Sequence, residues 1–318
     1  MLQLLHRWKK TCMSGRTLWV IPVVPAILIT LTWTSFAQET QQQVFASPQA
    51  AMQALVSALR AGDKQSLLAI LGPASEEILS SGDPVADKAD RDRFLAAYDD
   101  KVDLAPKGND QVEVILGHEN WPFPIPMVKA NQGWLFDTEA GKEEILNRRI
   151  GRDELDAIQV CEGYVEAQKE YADVDRELDG IIQYAQKIIS DPDTRNGLYW
   201  EPAEGEAPSP AGPFMARAAA EGYKKGEKPI PFHGYYYRIL KAQGPNAPGG
   251  AYDYVINGHM VAGFALVAWP ADYGVSGIMT FLVNRNAMVY EKDLGPNTAQ
   301  IAEAMTQYNP DETWKRSQ

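Results

Sequence analysis

The chain has 318 residues, 45% of them hydrophobic and 23% charged, with 25 Gly, 21 Pro and a formal net charge of -12. That length predicts two globular domains behind any targeting segment, and the apolar content excludes a disordered or collagen-like chain. The acid excess leaves no basic face to release counterions from a phosphate backbone, so nucleic acid is excluded as a partner.

In chain order the first expected element is an export signal. Arg7, Lys9, Lys10 and Arg16 precede an apolar run from Leu18 to Thr34, the n-region and h-region of a secretory leader. Ser35-Phe36-Ala37 supplies small residues where a signal peptidase cuts. Residues 1–37 are therefore expected to be a signal peptide cleaved after Ala37, giving a periplasmic or secreted protein with no membrane span. The alternative is an uncleaved run that anchors the protein in the membrane, which Pro22 and Pro25 weaken as a continuous helix. Without residues 1–37 the chain keeps 26 Lys+Arg against 42 Asp+Glu. It also keeps one cysteine, Cys161, so no intramolecular disulfide is possible. Helical spacing among Ile158, Val160, Tyr164 and Val165 marks that thiol as buried and structural.

Residues 38–46 read as a polar linker. Ser47-Pro48 predicts a helix start, with Met52, Leu55, Val56 and Leu59 as its buried face and Gly62 as its stop. Asp63 caps a second helix through Leu67, Leu68 and Leu71, ended by Gly72-Pro73. A third runs from Asp83-Pro84 to Val102. From Gln111 the period falls to two, predicting a strand through Val112, Val114 and Leu116. A second strand over Phe123, Ile125 and Met127 carries three prolines and belongs at a sheet edge. Asn131-Gln132-Gly133 turns the chain into Trp134, Leu135 and Phe136.

Helical signals follow from Glu139 to Ile150, break at Gly151, and continue from Asp153 to about Ile189. Prolines at 192, 202, 208, 210, 213, 229 and 231 then forbid long regular structure, apart from a short helix over Pro213–Glu221. So long an irregular connection is often functional. Strands are predicted at Tyr235–Ala242, His259–Trp269, Ile278–Val283 and Ala287–Tyr290, joined closely enough to form an antiparallel meander. Pro296-Asn297-Thr298 opens a last helix. The fold class is α+β, divided into residues 47–138 and residues 139–318.

Several strings carry a resemblance: Ile78-Leu79-Ser80-Ser81-Gly82-Asp83-Pro84-Val85, Trp121-Pro122-Phe123-Pro124-Ile125-Pro126, Glu144-Ile145-Leu146-Asn147-Arg148-Arg149-Ile150-Gly151 and His233-Gly234-Tyr235-Tyr236-Tyr237-Arg238-Ile239-Leu240. With Gly263-Phe264-Ala265-Leu266-Val267-Ala268-Trp269-Pro270 and Lys292-Asp293-Leu294-Gly295, they resemble domain-of-unknown-function family 2950, a group of secreted bacterial proteins, over residues 47–318. The resemblance implies no reaction and no catalytic residues. At the level of fold, residues 47–138 look like the ketosteroid-isomerase-like α+β cone. Residues 153–295 are similar to pilin-like proteins, in which a long helix and an irregular loop precede an antiparallel sheet. Pilus polymerisation is not expected, because the apolar run ends at Thr34 and is not continuous with the helix that begins at Asp153.

Catalytic signatures are sparse. His118, His233 and His259 share no helical spacing for zinc and are expected at turns or strand ends. The chain has no Gly-x-Ser-x-Gly, no phosphate-binding Gly-Lys-Ser/Thr loop and no Gly-x-Gly-x-x-Gly, so no cofactor is expected. Asp173, Asp175, Glu177 and Asp179 resemble half of a calcium loop, but the twelfth position is Gln186 where a Glu is required, so no metal is expected. The candidate binding residues are Tyr199, Trp200, His233, Tyr235, Tyr237 and Arg238, with the two strand tyrosines on one face and Tyr236 on the other; such a cluster can form an aromatic platform. The expected function is a non-enzymatic cell-envelope binding or assembly module with a glycan, peptide or protein partner. The alternative is an envelope hydrolase or isomerase using a pocket between the two domains.

Overall fold

The computed structural model describes residues 42–130, 132–223 and 230–317. The expected signal peptide, its cleavage point and Asn131 lie outside the described residues. The first helix, α1 (Pro48–Ala61), forms as its sequence dictates. The Ser47 hydroxyl accepts from the Ala50 amide, Pro48 occupies the first turn, and Gly62 closes the helix at φ 63°. Asp63 caps α2 (Lys64–Leu71) by accepting from the Ser66 amide, and a 3-10 turn at Pro73–Ser75 leads into α3 (Glu76–Leu79). Asp83 caps α4 (Pro84–Asp100), which stops before Val102.

Val102 belongs to β1 (Val102–Pro106), which pairs with β2 (Gln111–Leu116) and corrects the longer helix expected there. The Pro-rich strand is also corrected. Strand pairing is confined to β3 (Trp121–Pro122) and β4 (Met127–Ala130); between them the Phe123 amide still donates to the Val114 carbonyl, and Pro124–Pro126 lie outside the ladder. Three prolines withhold the amides that a continuous strand would need. With β5 (Gly133–Phe136) the antiparallel order is β1-β2-β4-β5, and β3 pairs with β2. Met52, Leu55, Val114, Leu116, Met127 and Phe136 form the core between α1 and this sheet.

One helix, α5 (Thr138–Tyr171), follows. Gly151 does not break it, because the residue is exposed and nothing crowds the position. The helix ends at Tyr171, well short of the expected Ile189. The Asp175 carboxylate accepts from the amides of Asp179 and Gly180, and Asp179 accepts from Ile181. Arg176 donates to the carbonyls of Glu170 and Tyr171 and finishes the last turn. Side chains that satisfy local backbone groups in this way compete with helix.

After an irregular stretch come α6 (Gly212–Glu221) and β6 (Tyr235–Leu240), then two short hairpin pairs, β7 (Ala242–Gln243) with β8 (Tyr252–Asp253) and β9 (Val255–Ile256) with β10 (His259–Met260). The strand expected over His259–Trp269 is therefore two pieces, since β11 is Ala265–Pro270. It is followed by β12 (Met279–Asn284), β13 (Tyr290–Asp293), α7 (Thr298–Ala304) and β14 (Lys315–Arg316). The sheet order is β14-β13-β12-β11-β6, antiparallel throughout. All six residues of β11 are buried, with both α5 and α7 packed against it.

This core is separate from the first. It holds Ala157, Cys161, Tyr164 and Tyr171 of α5 with Leu266, Phe281 and Tyr308. Burial pushes the Cys161 thiol up to about 12, so it is an inert packing group. Residues Thr40–Gln318 make one compact unit, with Ile145 of α5 packed on the first core and the later turns of the helix in the second. No helix among the described residues is long and apolar enough to cross a membrane.

Candidate functional site

An open groove of about 1550 Å³ lies between α5, α6, the irregular segment 176–206 and the start of β6. The prolines between α5 and β6 create it, because they hold a long stretch of chain out of regular structure. Its floor includes Tyr164 and Ala167, its walls include Ile188, Tyr199, Trp200, Phe214 and Tyr236, and Leu178 stands at the rim. Leu178 is 87% exposed and sits at φ 59°. Phe214 of α6 lies directly over Gly163 of α5, so that the absence of a side chain at 163 is what lets the helix seat there.

The sequence-predicted residues divide between this groove and the protein interior. Tyr199 is half-buried, and its hydroxyl donates to Glu201. Trp200 is buried in the groove wall, with Arg176 and Arg195 each 5.7 Å from its ring centre and Nε1 without a hydrogen-bond partner among the described residues. Tyr235 and Tyr237 both border the groove. Tyr235 is nonetheless fully buried, its hydroxyl donating to the Met279 carbonyl, so it packs in the core. The Tyr237 hydroxyl donates to the Phe232 carbonyl. Arg238 lies away from the groove and donates to the carbonyls of Ala302 and Met305 at the end of α7.

His233 is also elsewhere, in a polar cluster that joins the two cores. It sits at φ 51° beside Gly234 at φ 73° in a two-residue turn between Phe232 and Tyr235, the positive-φ arrangement of tight hairpins. Its Nδ1 is 3.1 Å from an Asp156 carboxylate oxygen and its Nε2 3.0 Å from Glu221. Each ring nitrogen thus faces a carboxylate at ion-pair distance. Behind the turn, Asp83 is fully buried. One of its oxygens accepts from the Val85 and Ala86 amides, and the other from the Tyr223 hydroxyl at 2.7 Å and the Gly234 amide at 3.2 Å. Burial and the bond to Asp83 raise the Tyr223 phenol far above its ordinary range, so it stays a donor.

Asp153 completes the cluster. It is 2% exposed and accepts from Arg152 through Oδ1, while Oδ2 has no partner among the described residues. That bare oxygen lies 2.8 Å from where a β-carbon on Gly234 would sit. Burial pushes the Asp153 carboxyl up to about 6, against the opposing pull of Arg152.

Asp83, Tyr223, Asp153 and Asp156 escaped the sequence reading as site residues, although Asp83 was visible as a helix cap. One signal did point to them: the Ser-Gly-Asp-Pro and His-Gly-Tyr-Tyr strings that carried the family resemblance meet here, through Asp83 and Gly234. His118 and His259 occupy a turn and the start of β10. Among the described residues no group of three or more His, Cys, Asp or Glu is arranged to hold a metal ion.

In comparison with known proteins, the family described as "Protein of unknown function (DUF2950)" matches residues 42–317. No curated protein and no solved structure matches the chain.

Proposed function

From the premise that the chain belongs to the DUF2950 family, we propose that it is an exported, non-enzymatic binding module of the cell envelope whose groove holds an elongated ligand. The observation that carries this reading is the groove itself. A concave, aromatic-walled trough of about 1550 Å³, with charged residues such as Asp193, Arg195 and Glu201 in its lining, is of the size that buries an oligomeric ligand. Export follows from the basic and apolar composition of residues 1–34.

The test is a titration of the chain from residue 38 with fluorescently labelled peptidoglycan fragments and unstructured peptides. Saturable binding is expected, weakened in Leu178→Asp, a rim substitution whose 87% exposure leaves the fold untouched. A protein that captures no ligand in titration, crosslinking or pull-down overturns the proposal.

A hydrolase or isomerase is the second reading, favoured by the raised carboxyl of Asp153 beside His233 and Asp156. Against it stands the enclosure of Asp83 and Asp153, to which a substrate gains access only if the His233–Gly234 turn opens.

A further inference from the structure

The edge of β6 bears on what the groove accepts. This strand is the last in its sheet order, so one side has no partner strand among the described residues. Residues of an antiparallel strand alternate between bonding the neighbour and pointing their backbone groups away from it. Both the amide and the carbonyl of Tyr235 bond to Phe232, so Tyr235 points away from β11, and Tyr237 and Ile239 share its phase. Further along, the Lys241 carbonyl is taken by the Tyr254 amide. Between these two capped ends, the amides and carbonyls of Tyr237 and Ile239 have no hydrogen-bond partner among the described residues. The groove borders the first half of this open stretch, where Tyr235, Tyr236 and Tyr237 line it.

Resting on the binding-module reading, we propose that the ligand is a cationic, extended peptide that adds as a strand to β6. Open backbone donors and acceptors spaced two residues apart are a template for another extended chain. A peptide strand placed there directs alternate side chains into the aromatic trough and the others to its rim. The rim carries exposed Asp193 and Glu201, while Arg176 and Arg195 are stacked on Trp200 and Arg195 also pairs with Glu206. Rim acids in a chain of net charge -12 select basic side chains on the peptide.

The experiment uses a blocked hexapeptide of alternating lysine and valine, the same peptide N-methylated on its ladder-forming amides, and a glutamate–valine version. Amide exchange of the chain from residue 38 is followed residue by residue. The lysine–valine peptide is expected to bind saturably and to slow exchange at Tyr237 and Ile239 at least about tenfold, with N-methylation weakening binding at least about tenfold. The glutamate–valine peptide is expected to bind more weakly than the lysine one, and the Asp193→Lys, Glu201→Lys double variant to reverse that order. Binding with unchanged exchange at both amides, or equal affinity for the N-methylated peptide, overturns strand addition. Capture of a peptidoglycan fragment without the lysine–valine peptide also overturns it while leaving the groove reading intact; if nothing binds, both fall.

Discussion

Two glycines of α5 respond oppositely to the same substitution. A β-carbon at Gly141 would lie 2.5 Å from the Pro124 carbonyl oxygen and 2.7 Å from the Ile125 α-carbon, both backbone atoms that cannot swing aside. At Gly151 it would meet nothing. Gly151→Ala is therefore expected to raise stability by about 0.5–1 kcal/mol, the ordinary gain of alanine over glycine in a helix. Gly141→Ala is expected to lower it by about 1–3 kcal/mol through overpacking, both read from urea midpoints. Asp153 sets a pH dependence at the same scale. Its folded-state carboxyl, near 6, keeps a proton that the unfolded chain releases nearer 4, so this group's contribution falls as pH rises through that window and is flat above it. The full difference is about 3 kcal/mol, and Asp153→Asn is expected to flatten the slope of stability between pH 4 and 6.5. The caps at Ser47, Asp63 and Asp83 were legible in the sequence because a cap is a contract between neighbours. The bare oxygen of Asp153 was not, since only the fold brings Gly234 against it.

At the scale of elements, local chemistry decided what could be foreseen. Helices α1, α2 and α4 carry their own start signals, and β2 its own alternation. The end of α5 depends on Asp175, Asp179 and Arg176 capturing backbone groups, which an apolar stripe continuing toward Ile182 concealed. The groove was foreseen only as an irregular proline-rich connection with aromatics nearby, and the expected tyrosine platform is partly core, because the direction of β6 relative to α5 is not written in its sequence. Trp200 gives an element-scale test of the groove wall. Its ring is buried between two arginines, but its Nε1 hydrogen has no partner among the described residues. Trp200→Phe is therefore expected to cost little, within about 1 kcal/mol, because it removes an unsatisfied donor along with some area. Trp200→Ala is expected to cost about 3–5 kcal/mol by leaving a cavity, and calorimetry separates the two.

For the whole molecule, the question is what makes two hydrophobic cores behave as one. The helix α5 is common to both, and the bonds from Asp83 to Tyr223 and Gly234 tie residues 151 positions apart at the widest. A single cooperative melting transition is the expected result for the native chain. Tyr223→Phe removes one donor from a buried carboxylate, a loss of about 1–3 kcal/mol, and is expected to broaden or split that transition. A sharp, merely shifted peak would show that α5 alone carries the coupling. Sharing one helix between early and late parts of the chain also has a price in time. The apolar stripe of α5 from Ala157 to Tyr171 is made long before β6, β11 and β12, the strands that cover it. At about 5–20 residues per second of synthesis, that stripe stays bare for several seconds on every nascent molecule, so a chaperone or holding factor has a defined place and moment to act.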